Sequence, residues 1–141
     1  MRKQLTILAL LAAASLPAKD IFVNTPRTTL LLKAEDNKPL HISYYGDKVT
    51  DEVYRAFSLW QEAYPAFGLG NDFIPALSVR HADGNMSTEL VYQSDKETKE
   101  ANATVYTITM KDKAYDFYVD MCYRAYDNCD VIEAWSVIRN G

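Results

Sequence analysis

The side chains that could carry chemistry in this sequence are mainly carboxylates, and most of them fall in predicted turns. Hydrolysis of a sugar bond needs two carboxylates that face each other across that bond. The candidates for such a pair are Asp36, Asp47, Asp51, Asp72, Asp83 and Glu89. Because aspartate in a turn usually binds the local backbone, we expect these residues to shape turns, and we expect no catalytic residue within the chain.

Motifs that bind nucleotides or metals are not expected to function here. Gly68-Leu69-Gly70 lacks a third glycine and a clear following helix, so it does not predict a dinucleotide site. The two cysteines, Cys122 and Cys129, do not have the spacing of a zinc site. We therefore expect no metal and no other cofactor. An oxidising compartment would allow the cysteines to pair, but a turn between them would hold their α-carbons too far apart, so free thiols are the favoured interpretation.

Aromatic residues, 12% of the chain, are the second group with a possible binding role. Exposed rings can stack on sugars, whereas rings in strands fill the core and form cross-strand pairs. The core interpretation is favoured for Tyr92, Tyr106, Tyr118, Tyr123 and Trp135. Both interpretations stay open for the rings on or beside an irregular segment, which are Trp60, Tyr64, Phe67 and Phe73.

Short segments of β-type composition must position these side chains. Turn signals at regular spacing predict about eight strands, the pattern of an all-β sandwich. The predicted strands are residues 20–25, 28–35, 40–45, 76–81, 87–94, 103–110, 115–126 and 130–139. Between them we expect a short helical turn over 51–63, a long ordered loop over 64–75 and a solvated charged connection over 95–102.

The first 18 residues have the order of features found in a secretory signal peptide. Arg2 and Lys3 precede an apolar run over 5–16, and small residues at Ala14 and Ala18 offer two cleavage positions. The alternative is a buried N-terminal helix. Export to the periplasm or the exterior of a bacterial cell is the favoured prediction, with residues 19–141 as the mature domain. Nothing in that domain is apolar enough for a membrane span, and a net charge of −4 without a basic patch argues against nucleic acid.

The sequence ends on Asn140-Gly141, a strong hairpin signal. A turn without its returning strand leads us to expect a truncated product or a fragment of a longer protein. The alternative is that these residues are a frayed tail.

Several short motifs also occur in a fixed order along the chain. They are Tyr44-Tyr45-Gly46, Tyr64-Pro65, Gly68, Asp72-Phe73, Pro75-Ala76, Asp83-Gly84 and a closing strand that ends at Asn140. Over essentially the whole mature chain, this order resembles the N-terminal domain of glycoside hydrolase family 36 α-galactosidases. Ala63 and Ile74 stand where the family often has Glu and Arg, which puts any polar role of these two positions in doubt.

The resemblance implies a β-supersandwich of two packed, mainly antiparallel sheets, here lacking its final strands. In such enzymes a (β/α)8 barrel follows, and its two aspartates remove terminal α-galactose from raffinose-type sugars without a metal. No position in this chain corresponds to those aspartates, so the chain alone is expected to be inactive. The domain's implied roles are to pack on the barrel, to support homo-oligomerisation and to lend loops to the rim of the α-galactoside pocket.

The residues expected at that rim are Asn71, Asp72 and Phe73, with Trp60 next. Asp72 could accept hydrogen bonds from sugar hydroxyls while Phe73 packs beneath it. Equally, Asp72 could cap the loop and Phe73 could anchor it in the core. Two other classes of function stay open, a free-standing carbohydrate-binding module of the cell envelope and a β-sandwich that serves only protein–protein contact.

Overall fold

The computed structural model describes residues 18–49, 61–68 and 74–141, and their backbone forms two four-stranded antiparallel sheets. In chain order, the first sheet holds β1 (Lys19–Asn24), β2 (Thr28–Ala34), β3 (His41–Asp47) and β4 (Gln61–Glu62). The second sheet holds β5 (Leu90–Lys99), β6 (Ala103–Asp112), β7 (Phe117–Tyr126) and β8 (Ile132–Asn140). The all-β, two-sheet prediction is confirmed. Within the residues described, no helix is long and apolar enough to cross a membrane.

The two sheets pack face to face through side chains that alternate along each strand. In β7, Phe117, Val119, Met121 and Tyr123 are buried in the shared core, as the sequence predicts. The first sheet contributes apolar side chains to the same core, namely Ile21, Val23, Leu30, Leu32, Ala34 and Leu40. Because each large apolar side chain stabilises the fold by roughly 1.5–3 kcal/mol when buried, this interface supplies the main driving force for packing the sheets.

A half-buried carboxylate joins the start of β1 to β5. A register shift between Tyr92 and Ser94 places an extra residue in β5, which turns Tyr92 and Asp95 toward the same side. Asp95 Oδ1 then accepts hydrogen bonds from Tyr92 Oη and Lys19 Nζ, both at 2.6 Å. The Asp95 side chain is 17% exposed. Burial alone would raise the pKa of this carboxyl, but the bonds from Lys19 and Tyr92 outweigh burial and hold the pKa below its ordinary value.

A second carboxylate joins the β1–β2 turn to the loop before β8. Asp130 Oδ1 accepts bonds from the Thr25 hydroxyl at 3.0 Å and the Arg27 amide at 2.7 Å. Its Oδ2 accepts the Arg27 Nε–H at 2.8 Å. The side-chain bond from Arg27 is the main reason that the pKa of Asp130 lies below its ordinary value. Asp95 and Asp130 therefore bind opposite ends of β1 to the second sheet, and we call these contacts the two clasps.

Two predicted elements differ from the structure. Residues 76–81 alternate between exposed and half-buried, but they form no strand apart from a single parallel bridge between Leu77 and Ala66. The alternation arises because Leu77 and Val79 pack on the core from one side without a lateral strand partner. The predicted connection over 95–102 is also wrong up to Lys99, because its charged residues form the exposed half of β5. The helical turn predicted over 51–63 lies mostly outside the described residues, and Gln61 and Glu62 form β4.

The two cysteines are free thiols in different surroundings. Cys122 is buried and lies opposite Trp135 in the β7–β8 ladder, whereas Cys129 is exposed in the connecting loop. This placement agrees with the prediction that the turn separates them. Burial raises the pKa of Cys122, so its thiol stays protonated at neutral pH.

The Asp95 clasp predicts a specific dependence of stability on pH. Since the folded state lowers the pKa of Asp95, its stabilising effect is present above the ordinary carboxyl pKa and is lost as pH falls through the lower folded value. We expect Asp95→Asn to cost roughly 1–3 kcal/mol at pH 6 and to lose less stability than the wild type between pH 6 and pH 3. Urea unfolding at both pH values measures this difference. Asp36→Asn, which removes a carboxylate from an exposed turn, is the control, and an equal acid loss in wild type and Asp95→Asn would contradict the prediction.

Candidate functional site

The predicted pocket-edge residues Asn71, Asp72, Phe73 and Trp60 lie outside the described residues, but both flanks of segment 69–73 are described. The Phe67 amide donates to the Leu77 carbonyl at 2.9 Å, and the Ala76 amide donates to the Pro65 carbonyl at 2.9 Å. These bonds hold the two flanks side by side. We call residues 65–68 and 74–77 the loop stem.

The stem carries exposed apolar side chains and makes a close backbone contact. Phe67 is 45% exposed and Ile74 is 95% exposed. Gly68 has a φ of +110°, and a β-carbon at this position would lie 2.5 Å from the Ser87 α-carbon. A side chain at Gly68 is therefore excluded twice, by its backbone conformation and by the neighbouring chain. The tight contact fixes the stem against residues 85–88.

A second feature is an open cleft at one end of the second sheet, which is formed by residues distant in sequence. Its volume is about 550 Å³. We call it the His81 cleft, and its lining consists of Val79, Arg80, His81, Ala82, Asp83, Tyr115, Asp116, Phe117, Asn140 and Gly141. The lining thus combines aromatic rings with carboxylate, guanidinium and amide groups, which is a composition that can bind a small polar ligand.

A tight turn builds one wall of the cleft. The Gly84 amide donates to the His81 carbonyl at 2.9 Å, and the His81 amide donates to the Asn85 carbonyl at 2.8 Å. Gly84 adopts a φ of +89°, the left-handed conformation that the predicted Asp-Gly turn requires. The turn is therefore confirmed, although it does not join two paired strands.

Stacking on Tyr115 fixes the ring of His81 within the cleft. The His81 and Tyr115 rings are nearly parallel, with centroids 3.6 Å apart and an angle of 8° between their planes. Phe117 meets the same imidazole edge-on at 6.0 Å. His81 Nε2 lies 3.3 Å from the Thr88 hydroxyl, which belongs to a fully buried residue. The imidazole is thus held by a stacked ring, by a perpendicular ring and through one ring nitrogen.

The carboxylate of Asp83 is held beside this stack. It accepts the Asn85 amide at 3.0 Å and the Tyr115 hydroxyl at 2.8 Å. These two bonds, that from Asn85 first, lower the pKa of Asp83. Tyr115 also accepts the side-chain amide of Asn85 at 2.9 Å, which lowers the pKa of its phenol, but the bond to Asp83 and burial leave that pKa raised overall. Asp83 is therefore an anion and Tyr115 a neutral phenol at pH 7.

Asp116, the other carboxylate in the cleft, is also kept ionised. The Tyr118 hydroxyl donates to Asp116 Oδ1 at 2.7 Å, and this bond is the main cause of a lowered pKa for Asp116. A glycosidase pair needs one carboxyl group whose pKa is raised, so that it can donate a proton near neutral pH. Asp83 and Asp116 both have lowered pKa values. Both carboxylates of the cleft can therefore accept hydrogen bonds at neutral pH.

Of the other carboxylates considered as catalytic candidates, the three that the structure describes are not part of the cleft lining. Glu89 forms an ion pair with Lys113 at the β5–β6 end of the sheet. Asp36 lies in an exposed turn and Asp47 ends β3, while Asp51 and Asp72 fall outside the described ranges. Across residues 18–49, 61–68 and 74–141, no group of three His, Cys, Asp or Glu side chains could hold a metal ion.

The fold matches known sandwich domains of large glycosidases. AgaA, a GH36 α-galactosidase from Geobacillus stearothermophilus, aligns at 20% identity with a TM-score of 0.74, covering 86% of this chain and 22% of the AgaA chain. AgaB from the same organism aligns at 19% identity with a TM-score of 0.74, over 89% of this chain and 22% of its own. The α-galactosidase from Lactobacillus brevis aligns at 20% identity with a TM-score of 0.69, with the same two coverages as AgaB. At these identities the likeness shows the fold.

Sequence similarity supplies the family. Residues 22–141 match the glycosyl hydrolase family 36 N-terminal domain, and the chain belongs to this family. No curated protein matches it. The chain spans about a fifth of the length of the solved α-galactosidases with which it aligns.

Sequence reasoning identified the turn at Asp83-Gly84 but missed the His81 cleft. Tyr115 lies in the connection between β6 and β7, at least 32 residues along the chain from His81 and Asp83, and contacts both of them. A histidine beside an Asp-Gly turn was an available signal. Nothing in the local pattern identified its stacking partner.

The cleft geometry predicts that each carboxylate responds to its own tyrosine. We expect Tyr115→Phe to raise the pKa of Asp83 because it removes one of the two bonds that lower it, with the Asn85 bond retaining part of the shift. Tyr118→Phe should raise the pKa of Asp116 and leave that of Asp83 unchanged, so each variant is the control for the other. Carboxyl NMR titration from pH 2 to pH 6 measures both values. An unchanged Asp83 pKa in Tyr115→Phe would contradict the hydrogen-bond geometry.

Proposed function

We propose that this chain is the non-catalytic N-terminal sandwich domain of an exported α-galactosidase, in which it supports a catalytic (β/α)8 barrel. The observation that carries the proposal is the family match over residues 22–141, on a fold that forms about a fifth of several α-galactosidases. The chemistry of the described residues is consistent with it, because the pKa values of both carboxylates in the His81 cleft are lowered, whereas a catalytic acid needs a raised pKa. Its partners would be the barrel, an α-galactoside and a second subunit.

Sequencing the gene beyond codon 141 tests this assignment directly. A (β/α)8 barrel encoded after Gly141, either in frame or after a frameshift, is the expected result. A following sequence that encodes no barrel in any frame would contradict the assignment and favour a free-standing module.

The proposal also places segment 69–73 at the rim of a galactoside pocket. Variants of AgaA have been crystallised in complex with stachyose and with raffinose. In this chain the loop stem supports the role, because its hydrogen bonds and the contact of Gly68 with Ser87 hold both ends of the segment firmly. Asn71, Asp72, Phe73 and Trp60 are the residues proposed to meet the sugar. Ile74 would give the rim an exposed apolar side chain.

Inactivity of the isolated domain is the first functional prediction. We expect the purified chain to release no nitrophenol from a nitrophenyl α-galactoside above the buffer blank, because the catalytic aspartates of the proposed enzyme lie in the barrel. AgaA assayed in parallel provides the positive control. Release in proportion to the concentration of this chain would overturn the prediction.

Export is supported by the signal-like N-terminus and by the position of the first strand. Because β1 begins at Lys19, cleavage after Ala14 or Ala18 would leave every described strand and both clasps in place. We propose residues 1–18 as the signal peptide and a mature domain of 19–141 in the periplasm or outside the cell.

Processing at these positions is the second functional prediction. When the full-length chain is expressed in a bacterial host, we expect mass spectrometry of the periplasmic fraction to find a mature protein that begins at Lys19. Ala18→Tyr, which puts a bulky residue at the cleavage position, should block this product or shift cleavage to Ser15. Recovery of the unprocessed chain, with Met1 retained, from the cytoplasm would contradict the proposal.

The His81 cleft favours one alternative function, that of a free-standing carbohydrate-binding module. Its ionised carboxylates and the Asn140 amide can accept hydrogen bonds from a polyol, and Arg80 can donate them. NMR titration with raffinose separates the two functions. Saturable shifts at His81 and Tyr115 in the isolated domain would favour the module, whereas the barrel-support proposal expects none.

A further inference from the structure

The Asp83-Gly84 peptide carries the two groups that form a cyclic imide. The side-chain carboxyl of an aspartate can react with the backbone nitrogen of the next residue, and the reaction is easiest when that residue is glycine, because no side chain shields the nitrogen. Asp83 and Gly84 are both exposed, and a β-carbon placed on Gly84 would find no atom within 4 Å. By residue type and by accessibility, the pair is a site for this reaction.

The reaction consists of two steps that need only water. In the first, the Gly84 nitrogen bonds to Asp83 Cγ, and the bond from Cγ to one carboxyl oxygen breaks. That oxygen leaves as water, with the carboxyl proton and the amide proton. In the second, water opens the imide ring at either carbonyl, which restores aspartate or gives isoaspartate, whose main chain runs through the side chain and is longer by one carbon. The first step needs a protonated carboxyl, since a carboxylate is a poor electrophile.

In the folded chain, both reacting groups are held in other hydrogen bonds. Asp83 Oδ1 accepts the Asn85 amide at 3.0 Å, and Asp83 Oδ2 accepts the Tyr115 hydroxyl at 2.8 Å. The Gly84 amide donates to the His81 carbonyl at 2.9 Å. The carboxyl must therefore leave both donors, and the amide must leave its acceptor, before the ring can close. The bonds to the carboxyl also lower the pKa of Asp83, which reduces the protonated form that the first step needs.

Of the two donors to this carboxyl, Tyr115 is the one that is distant in sequence. Its amide donates to Asp112 Oδ1 at 2.9 Å, and Asp112 is 2% exposed at the end of β6. Its hydroxyl accepts the side-chain amide of Asn85 at 2.9 Å, and its ring is stacked on that of His81. Three contacts other than the bond to Asp83 therefore set the position of the hydroxyl.

We propose that Asp83-Gly84 is a latent site of isoaspartate formation, and that the Tyr115 hydroxyl suppresses the reaction in the folded chain. The proposal rests on contacts within residues 81–88 and 112–115, and it is independent of the function proposed above.

The modification would affect the loop stem as well as the cleft. A longer main chain at the turn would displace Asn85, whose side chain accepts the Ser87 amide at 3.1 Å. Ser87 is the residue against which Gly68 packs. Suppression of the reaction therefore protects the base of segment 69–73.

Uptake of labelled oxygen measures the reaction. The folded chain is incubated at pH 5 in water enriched in heavy oxygen, where each ring opening adds one labelled oxygen to the peptide that contains Asp83, and mass spectrometry of that peptide gives the rate. Tyr115→Phe should react about threefold faster or more than the wild type, the factor expected from the loss of one hydrogen bond. Tyr118→Phe, which removes the corresponding hydroxyl from Asp116, is the matched control and should react at the wild-type rate. Equal rates in the wild type and Tyr115→Phe, with circular dichroism showing that both are folded, would overturn the role of Tyr115.

Unfolding of the wild type gives a second test that needs no variant. In guanidinium chloride the turn and its hydrogen bonds are lost, and we expect labelling at least about tenfold faster than in the folded chain, because more than one bond must open before the folded site can react. Chromatography should separate an aspartate peptide and an isoaspartate peptide from the unfolded sample. Equal rates in the folded and unfolded chain, or no labelling of Asp83 in the unfolded chain, would overturn the proposal.

Discussion

Two carboxylates at opposite ends of β1 hold the sandwich closed along one side. Among the strands that the structure describes, β1 lies at an edge of the first sheet and pairs with β2. Asp95 binds its first residue, and Asp130 binds the turn that follows its last residue. Since burial of apolar side chains has no direction, core packing alone allows the sheets to slide or splay. The two clasps add directional bonds at fixed points and thereby set how β1 lies over the second sheet.

Much of the fold could be predicted from the sequence, because a strand that is buried on one face has an apolar residue at every second position. Burial alternates over residues 108–112 of β6 and 117–121 of β7, and both strands lie near their predicted positions. The same signal misled at 76–81, where Leu77 and Val79 pack on the core but no neighbouring strand supplies hydrogen bonds. Alternation of apolar and polar residues indicates that one side of a segment is buried. It does not indicate whether a neighbouring strand pairs with that segment. β5 is an exposed edge strand, so its second half can hold charged residues. Those residues remove the apolar pattern from which a strand would be predicted.

The candidate site shows a second limit of local patterns. Gly84 and its turn are encoded by adjacent residues, and so they were predictable. The stack of His81 on Tyr115, and the two bonds that keep Asp83 ionised, depend on which loops meet at the end of a sheet. That meeting is decided by strand order and by the length of the β6–β7 hairpin. The family resemblance supplied the class of protein and a loop of interest, whereas the cleft emerged from the packing.

The contact between Gly68 and Ser87 has a mechanical consequence for both regions of interest. The Ser87 amide donates to the Asn85 side chain, and that side chain also binds the Tyr115 hydroxyl in the cleft. A continuous series of close contacts thus runs from the base of segment 69–73 to the wall of the His81 cleft. A β-carbon at Gly68 would lie only 2.5 Å from the Ser87 α-carbon, so the loop stem and the wall of the His81 cleft are in direct contact. A substitution that shifted the turn at residues 83–85 would therefore disturb the loop stem as well as the cleft.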